Sequence, residues 1–182
     1  MKIIVISDSH GDCAAVTEVM KRQRGADLFL HLGDGISEFE AAAESLGLPH
    51  FGIKGNCDFG RSDSQTTATL ELDGRRIMLT HGHLYGVKYG LSRLEAAARE
   101  NNADLALFGH THIKFDEYIP PYSPEDDEID SADEKNPAAD VEKAQKSGRG
   151  LRLFNPGSLK YGRTFGVIEL FESGILSSHG QI

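Results

Sequence analysis

The amino-acid sequence predicts an α/β protein in which two mixed β-sheets pack on one another with helices outside. Three observations carry this expectation. Residues 2–54 alternate apolar runs with amphipathic segments as βαβαβ, Asp73-Gly74 joins two β-rich runs, and further short apolar runs follow the next helical segment. The alternation argues a parallel sheet with covering helices. An Asp-Gly pair between two strand-like runs is a strong hairpin signal.

Each element has its own warrant. Residues 2–7 are continuously apolar, as in a strand buried on both faces. Residues 12–24 read as a helix, with Asp12 as N-cap and Gly25 as the stop. A second buried strand spans 27–32. A second helix spans 36–46, closed by Gly47 and Pro49, and a third strand spans 50–54. The hairpin occupies 66–72 and 75–80, a helix 89–101, and a short buried strand 105–108. Runs at 113–119, 151–155, 165–171 and 175–178 read as further strands.

At 182 residues the chain is expected to form one domain, 1–182, with a good core. No apolar run approaches the roughly 20 residues that span a membrane. The first apolar run is too short for a signal peptide and reads as a strand. Two cysteines form no disulfide framework, which fits a cytoplasmic location. The net charge of −9 is local. Residues 121–140 hold eight acids and one lysine, or −7, which leaves −2 for the rest. A body this close to neutral offers no basic stripe for duplex nucleic acid. Residues 120–150 hold four of the six prolines and no sustained apolar period, so they read as a variable acidic surface insertion, partly helical near 138–146. A lid or partner-binding arm is the other reading of that segment.

Short polar motifs close the apolar runs. They are Asp8-Ser9-His10, Gly33-Asp34, Gly55-Asn56-Cys57-Asp58, His81-Gly82-His83 and Gly109-His110-Thr111-His112. In open α/β sheets, ligands gather beyond the carboxyl ends of strands, so these chain-distant ends converge on one rim. Oxygen from Asp and Asn with imidazole from His suits Mn, Fe, Zn, Ni or Co better than Ca. Two such ions about 3.5–4 Å apart are a device for displacement at phosphorus. The adjoining Gly33, Gly55, Gly82 and Gly109 let the backbone turn sharply and come close to such ions.

The series D-x-H, G-D, G-N-x-D, H-G-H, G-H-T-H resembles the calcineurin-like metallophosphoesterases. Cys57 in GNCD, the short chain and the later Asn155-Pro156-Gly157-Ser158 resemble its small YfcE-type phosphodiesterase branch. The resemblance covers nearly the whole chain outside 120–150. It implies a four-layer αββα sandwich. It implies one metal held by Asp8, His10 and His112, another by Asn56, His81 and His110, and Asp34 bridging the two. Asp34, Asn56 and His81 take catalytic as well as metal-holding roles. Two divalent ions are expected, manganese first, with Zn, Fe, Ni and Co as alternatives. The implied reaction is hydrolysis of a small phosphodiester by in-line attack of a metal-bridging hydroxide.

Larger members of the family carry His where this chain has Cys57. A neutral thiol is a poor proton donor to an alkoxide, and general acid catalysis is typically worth roughly 10²–10⁴-fold. Activated or diester substrates follow from that departure. Several positions keep two readings. Asn56 could only cap a turn. Asp58 could act directly or as a supporting acceptor. His83 could share the rim or sit in a loop. His31 reads as a packed core residue, His50 and His179 as structural or exposed, and Cys13 as buried on the first helix. Lys160 and Arg163 follow the Asn-Pro-Gly-Ser turn and could meet a phosphate. The partner is then a small phosphoester, with no membrane or duplex nucleic acid, and homo-oligomers remain open. The alternatives are a phosphomonoesterase, or a non-catalytic scaffold resembling the retromer scaffold subunit. The complete ligand set favours an enzyme over the scaffold.

An acidic segment over an anion-binding centre would repel substrate. Deleting 122–148 and bridging the gap with a short Gly-Ser linker should therefore leave metal-dependent phosphoesterase activity within about tenfold, or roughly 1.4 kcal/mol. Loss of turnover in a folded deletion variant would show that the segment contributes to the site.

Overall fold

A computed structural model describes residues 1–60, 63–121 and 149–182. The acidic cluster at 125–140, the partly helical reading of 138–146 and the lid reading all lie outside the described residues.

Ten strands and four α-helices are present among the described residues. In chain order they are β1 (Lys2–Ile6), α1 (Cys13–Arg22), β2 (Leu28–His31), α2 (Ile36–Leu46), β3 (His50–Gly52), β4 (Thr67–Leu72) and β5 (Arg75–Thr80). A 3-10 turn (His83–Tyr85) and α3 (Ser92–Glu100) follow. Then come β6 (Leu105–Phe108), β7 (Lys114–Ile119), β8 (Leu151–Pro156), α4 (Leu159–Gly162), β9 (Thr164–Phe171) and β10 (Gly174–Gln181).

The first sheet has the order β10-β9-β1-β2-β3 and the second β4-β5-β6-β8-β7. Each has a parallel centre with antiparallel edges. β1 and β2 pair in parallel, as do β2 and β3, whereas β9 runs antiparallel to β1 and β10. In the second sheet β5, β6 and β8 are parallel, flanked by antiparallel β4 and β7.

Three apolar layers separate four structural layers. Ile3, Val5, Leu30, Leu32, Ile77, Leu79, Leu105, Leu107 and Phe154 fill the space between the sheets. On the outer face of the first sheet, Ile4, Ile6 and Phe29 meet Val16, Val19 and Met20 of α1 and Phe39 of α2. On the outer face of the second, Met78, Ala106, Phe108 and Leu153 meet Leu94 and Ala98 of α3. Alternate residues of β1 thus bury in opposite directions, which explains its unbroken apolar run. The αββα sandwich implied by the resemblance is the observed fold.

The differences from the sequence expectation are local. Asp12 caps α1 as expected, its carboxylate accepting from Ala15 N–H at 3.0 Å. Yet α1 stops at Arg22 rather than at Gly25. Cys13 is exposed, not buried, because it opens α1 while Ala15, Val16, Val19 and Met20 form the packed stripe. The helix expected at 89–101 begins only at Ser92, since His83–Tyr85 and a following turn at Gly86 (φ 65°) take up the preceding residues. The Asp73-Gly74 hairpin forms, with φ of 49° and 72°, as a two-residue primed turn requires. The sequence reading places a turn at Asn155–Ser158 and assigns no element to 159–162, where α4 lies. It exists because Ser158 accepts from Tyr161 N–H at 3.1 Å, and Arg163 at φ 55° ends it.

The space between the sheets is the largest shared core, so truncation there should be costly. Leu79→Ala should lower stability by about 2–5 kcal/mol. Urea unfolding should show a lower midpoint with an unchanged slope. A loss under about 1 kcal/mol would mean that the layer collapses around the gap.

Candidate metal centre

Six parallel strands end at one rim, and the site is built from the residues that follow them. Asp8 and His10 follow β1, Asp34 follows β2, and Asn56 to Asp58 follow β3. His81 and His83 follow β5, His110 and His112 follow β6, and Asn155 to Ser158 close β8. Backbone bonds tie neighbouring ends: Asp8 N–H to Gly33 O at 3.0 Å, His10 N–H to Asp34 O at 2.9 Å, and Leu159 N–H to Ser7 O at 3.0 Å.

The backbone at this rim is unusual. Asp8, His10, Asp34, His110 and His112 all have positive φ, between 42° and 69°. Such conformations cost of order 1–3 kcal/mol each in residues with a Cβ and concentrate at functional sites. Two glycines have a different task. A Cβ on Gly33 would stand 2.7 Å from Gly55 Cα and 2.9 Å from His81 Nδ1. One on Gly55 would stand 2.7 Å from Asp34 N. These glycines let strand ends approach each other rather than admit an ion.

Two clusters face each other across the rim. In the first, the ligand atoms of Asp8, His10 and His112 lie within 4.8 Å of one another. His112 Nε2 is 3.1 Å and His10 Nε2 3.9 Å from Asp8 Oδ1, and the two ring nitrogens are 3.3 Å apart. In the second, Asp34, His81 and His110 meet the same criterion. His81 Nε2 is 3.3 Å from Asp34 Oδ2 and 3.2 Å from His110 Nδ1. His10, Asp34 and the Cys57 thiol form a third such group, which joins the other two. Asn56 is exposed, and its amide donates to Cys57 Sγ at 3.2 Å rather than facing His81 or His110.

Supporting bonds leave one face of each ligand free. Asp8 Oδ2 accepts from Ser7 Oγ at 2.5 Å and from His110 N–H at 3.1 Å. Its Oδ1 is buried with no hydrogen-bond partner. Asp34 Oδ1 accepts from Cys57 N–H at 2.7 Å. His81 Nδ1 donates to Leu32 O at 2.8 Å, which leaves Nε2 as an unprotonated donor atom in the neutral ring. An orphaned carboxylate oxygen and imidazole nitrogens facing one another at 3.2–3.3 Å fit cations lying between them. The donor set, oxygen with imidazole, suits transition ions.

Electrostatics agree. Burial pushes the Asp34 carboxyl up, but His81 and the Cys57 N–H pull it well below the usual carboxylate range. Burial pulls His81 down, yet Asp34 and Asp8 win and raise it. His110 falls to about 4 through burial and the neighbouring positive charges of His81 and Lys88. Burial also lowers His83, whose Nδ1 is buried without a partner. Partial burial and the Asp34, Asp58 and Asp8 carboxylates push the Cys57 thiol up to about 11, although the residue is exposed.

Asp58 resolves its open reading in favour of support. It accepts from the N–H groups of Asp34 (2.8 Å), Gly35 (2.8 Å), Ile36 (3.1 Å) and Gly55 (2.7 Å), locking the two loops together. His31 is fully buried and packs on Phe39, as a core residue does, but it is also wired to the rim. Its Nδ1 accepts from Gly33 N–H at 3.1 Å, so Nε2–H donates to Ser9 Oγ at 3.1 Å, and Ser9 donates to Glu38 at 2.9 Å. His50 bonds Leu48 O, and His179 bonds Asn155 O while stacking on Phe154, both structural.

The Asn155–Ser158 turn, which the sequence singles out only through the family resemblance, supplies two supports that sequence reasoning did not assign. Asn155 donates to Gly109 O at 3.0 Å and Thr111 Oγ1 at 3.1 Å, holding the Gly109–His112 loop. Ser158 donates to Asp8 O at 3.0 Å. Asn155 ends an apolar run as the ligands do, and that was the available signal. Arg163, read as a phosphate contact, instead pairs with Asp12 at 3.1 Å.

A family model for the calcineurin-like phosphoesterase superfamily domain matches residues 1–170. The probable metallophosphoesterase YsnB of Bacillus subtilis is 39% identical over 120 residues, covering 65% of this chain and 69% of its own. Phosphodiesterase YfcE of Escherichia coli is 29% identical over 137 residues, covering 62% and 70%. The structure of Vps29 from Entamoeba histolytica complexed with Zn²⁺ has a TM-score of 0.66 at 17% identity, covering 99% of this chain and 98% of that one, a likeness of fold.

His31 is held neutral, its pKa lowered to about 4 chiefly by burial. The unfolded chain takes up a proton near 6.5 and the folded one does not. Stability is therefore present above pH 6.5 and lost as the pH falls toward 4, by up to about 1.4 kcal/mol per unit for this group. In chelator-treated protein, His31→Gln should flatten the loss of unfolding free energy between pH 6.5 and 4.5. Equal slopes in both proteins would show that His31 titrates in the fold as it does in a free chain.

Proposed function

The chain belongs to the calcineurin-like phosphoesterase superfamily, and from that premise we propose that it hydrolyses small phosphodiesters with two divalent metal ions. The observation that carries this reading is the pair of facing clusters joined at Asp34, with the buried Asp8 Oδ1 making no hydrogen bond and lying 3.1 Å from His112 Nε2. Asp8, His10 and His112 would hold one ion, His81, His110 and Asn56 the other, and Asp34 both. Asn56 would turn from Cys57 to do so. Manganese is the first choice and Zn, Fe, Ni and Co are the alternatives for this donor set. When bound, such a pair polarises phosphoryl oxygens and supplies a nucleophile at neutral pH by lowering the pKa of water.

The chain's own residues do the rest. The Leu32 carbonyl fixes the His81 tautomer, and Asp58 fixes the loop that carries Asp34. Asn155 and Ser158 hold the loops of His110 and Asp8. His83 offers a neutral ring with an unpartnered nitrogen for a phosphoryl contact. The Cys57 thiol stays protonated at neutral pH in this arrangement, which suits neither a thiolate nucleophile nor a strong acid. With no histidine at this position, substrates whose leaving group needs little protonation are favoured. Phosphodiesterase YfcE supports the diester over the monoester. The Vps29 likeness is one of fold, and the presence of all seven candidate ligands in the chain, six of them gathered in the clusters, favours catalysis over a scaffold.

Elemental analysis of reconstituted protein should give two ions per chain, and chelation should abolish hydrolysis of nitrophenyl diesters. Asp34→Ala should lose about 10³-fold or more in kcat, the several kcal/mol that a lost ion represents. Cys57→Ala should keep substantial activity. A phosphoryl-cysteine trapped by mass spectrometry, or activity unaffected by Asp34→Ala, would refute the mechanism.

A further inference from the structure

Several exposed apolar side chains stand next in the chain to residues of the centre. Phe59 is 88% exposed, Leu84 62% and Ile113 69%, and each directly follows a site residue: Asp58, His83 and His112. Tyr161, 69% exposed, lies against the centre itself. Its ring stacks on His112 with centroids 5.3 Å apart and planes at 27°, and lies 5.8 Å from the His10 ring. It does not drift there. Its N–H donates to Ser158 Oγ, and the same hydroxyl donates to Asp8 O, so one serine places both Tyr161 and the Asp8 loop. Holding apolar surface in water costs about 25 cal/mol per Å². An exposed aromatic ring seated on the site histidines, as Tyr161 is, differs from a scattered surface residue in lying where a ligand of the centre must pass.

On the phosphodiesterase reading, we propose that the substrate carries a planar aromatic arm and that Tyr161 is the residue that selects it. The phosphate end belongs among the ligands of the two clusters, and an ester arm on the Asp8–His10–His112 side begins beside the two rings that Tyr161 covers. Such an arm can lie on the free surface of Tyr161, which is 69% exposed. An aromatic ring gains more there than an alkyl chain does, because its quadrupole favours offset or edgewise packing on the phenol. A diester keeps one arm through the reaction, so this surface acts on binding and turnover alike. The occupant's chemistry is a flat ring, supplied by an aryl group or by the base of a nucleoside.

The test holds the leaving group constant. Three p-nitrophenyl diesters, whose second arm is methyl, phenyl or thymidine-5′, are compared by kcat/KM in the metal-loaded enzyme, in Tyr161→Ala and in Tyr161→Phe. Wild type should prefer at least one ring-bearing arm over methyl. Tyr161→Ala should reduce that preference about 2- to 10-fold, the range given by converting an aromatic pair's ~0.5–1.5 kcal/mol at 1.4 kcal/mol per tenfold. Tyr161→Phe should keep it. A preference for phenyl alone points to an aryl ester, and one for thymidine to a nucleotide. A ratio unchanged by Tyr161→Ala, with all three rates lowered together, would make Tyr161 a mere support for His10 and His112 and overturn the proposal. Equal rates for the three arms in wild type would also overturn it, while leaving the phosphodiesterase reading intact. Hydrolysis of none, with metals bound, would remove both.

Discussion

One buried hydrogen bond shows what the centre depends on. His81, at the end of β5 in the second sheet, donates from Nδ1 to the Leu32 carbonyl at the end of β2 in the first. This bond closes the two sheets at the rim and at once chooses the imidazole tautomer that leaves Nε2 free toward Asp34. It can form only because the parallel centres of both sheets point their carboxyl ends the same way. The apolar layer of Val5, Leu30, Leu79, Leu107 and their neighbours sets the spacing between the sheets, and the rim inherits that spacing. His110 N–H to Asp8 Oδ2 is a second tie of the same kind, from β6 to β1.

That frame has to hold an arrangement that is unfavourable by itself. Five rim residues occupy the left-handed region without being glycine, and two carboxylates sit among four imidazoles. The surrounding bonds over-determine the backbone. Asp58 alone accepts from four N–H groups across two loops. Asn155 and Ser158 do similar work from β8 and α4. The bonds to the Asp58 carboxylate, a charged acceptor, are each worth roughly 1.5–3 kcal/mol, comparable with the ~1–3 kcal/mol of each strained residue. What they leave uncompensated is electrostatic: a buried Asp8 oxygen without a hydrogen bond, and imidazole nitrogens crowded at 3.2–3.3 Å. A bound cation would remove that deficit, and metal binding would then stabilise the fold through the same few atoms.

The sequence exposes the parts of this that are periodic or local. Unbroken apolar runs mark β1, β2 and β6 because those strands are buried on both faces. Asp12, Gly47 and Asp73-Gly74 mark boundaries because capping and turn geometry act within a few residues. Ligand candidates stand out because each ends such a run. What stays hidden is anything decided across the chain. Asp58 and Ser9 look like ordinary loop polar residues until the β2 and β3 ends are brought together. His31 reads as core, and is core, yet its polar wiring depends on Glu38 on another element. Arg163 looked available for a phosphate because its partner Asp12 lies 151 positions away. Cys13 was misplaced because a single helical position cannot be assigned to a face before the packed stripe is known.

Two separate constraints bear on the ester at this centre. In the proposed reaction the leaving side would meet Cys57, whose thiol is pushed up to about 11 by partial burial and by the carboxylates around it. A bound cation would oppose that shift, since it neutralises those same carboxylates. In either state the thiol is a weaker donor than an imidazolium, so the leaving oxygen must carry its own charge for much of the bond cleavage. That restricts the acidity of one arm. The retained side would meet Tyr161, which restricts shape and polarity rather than acidity. A monoester has no retained arm and would leave the second constraint without an object. A diester satisfies both: one arm chosen by how well it departs, the other by how it lies on the Tyr161 ring.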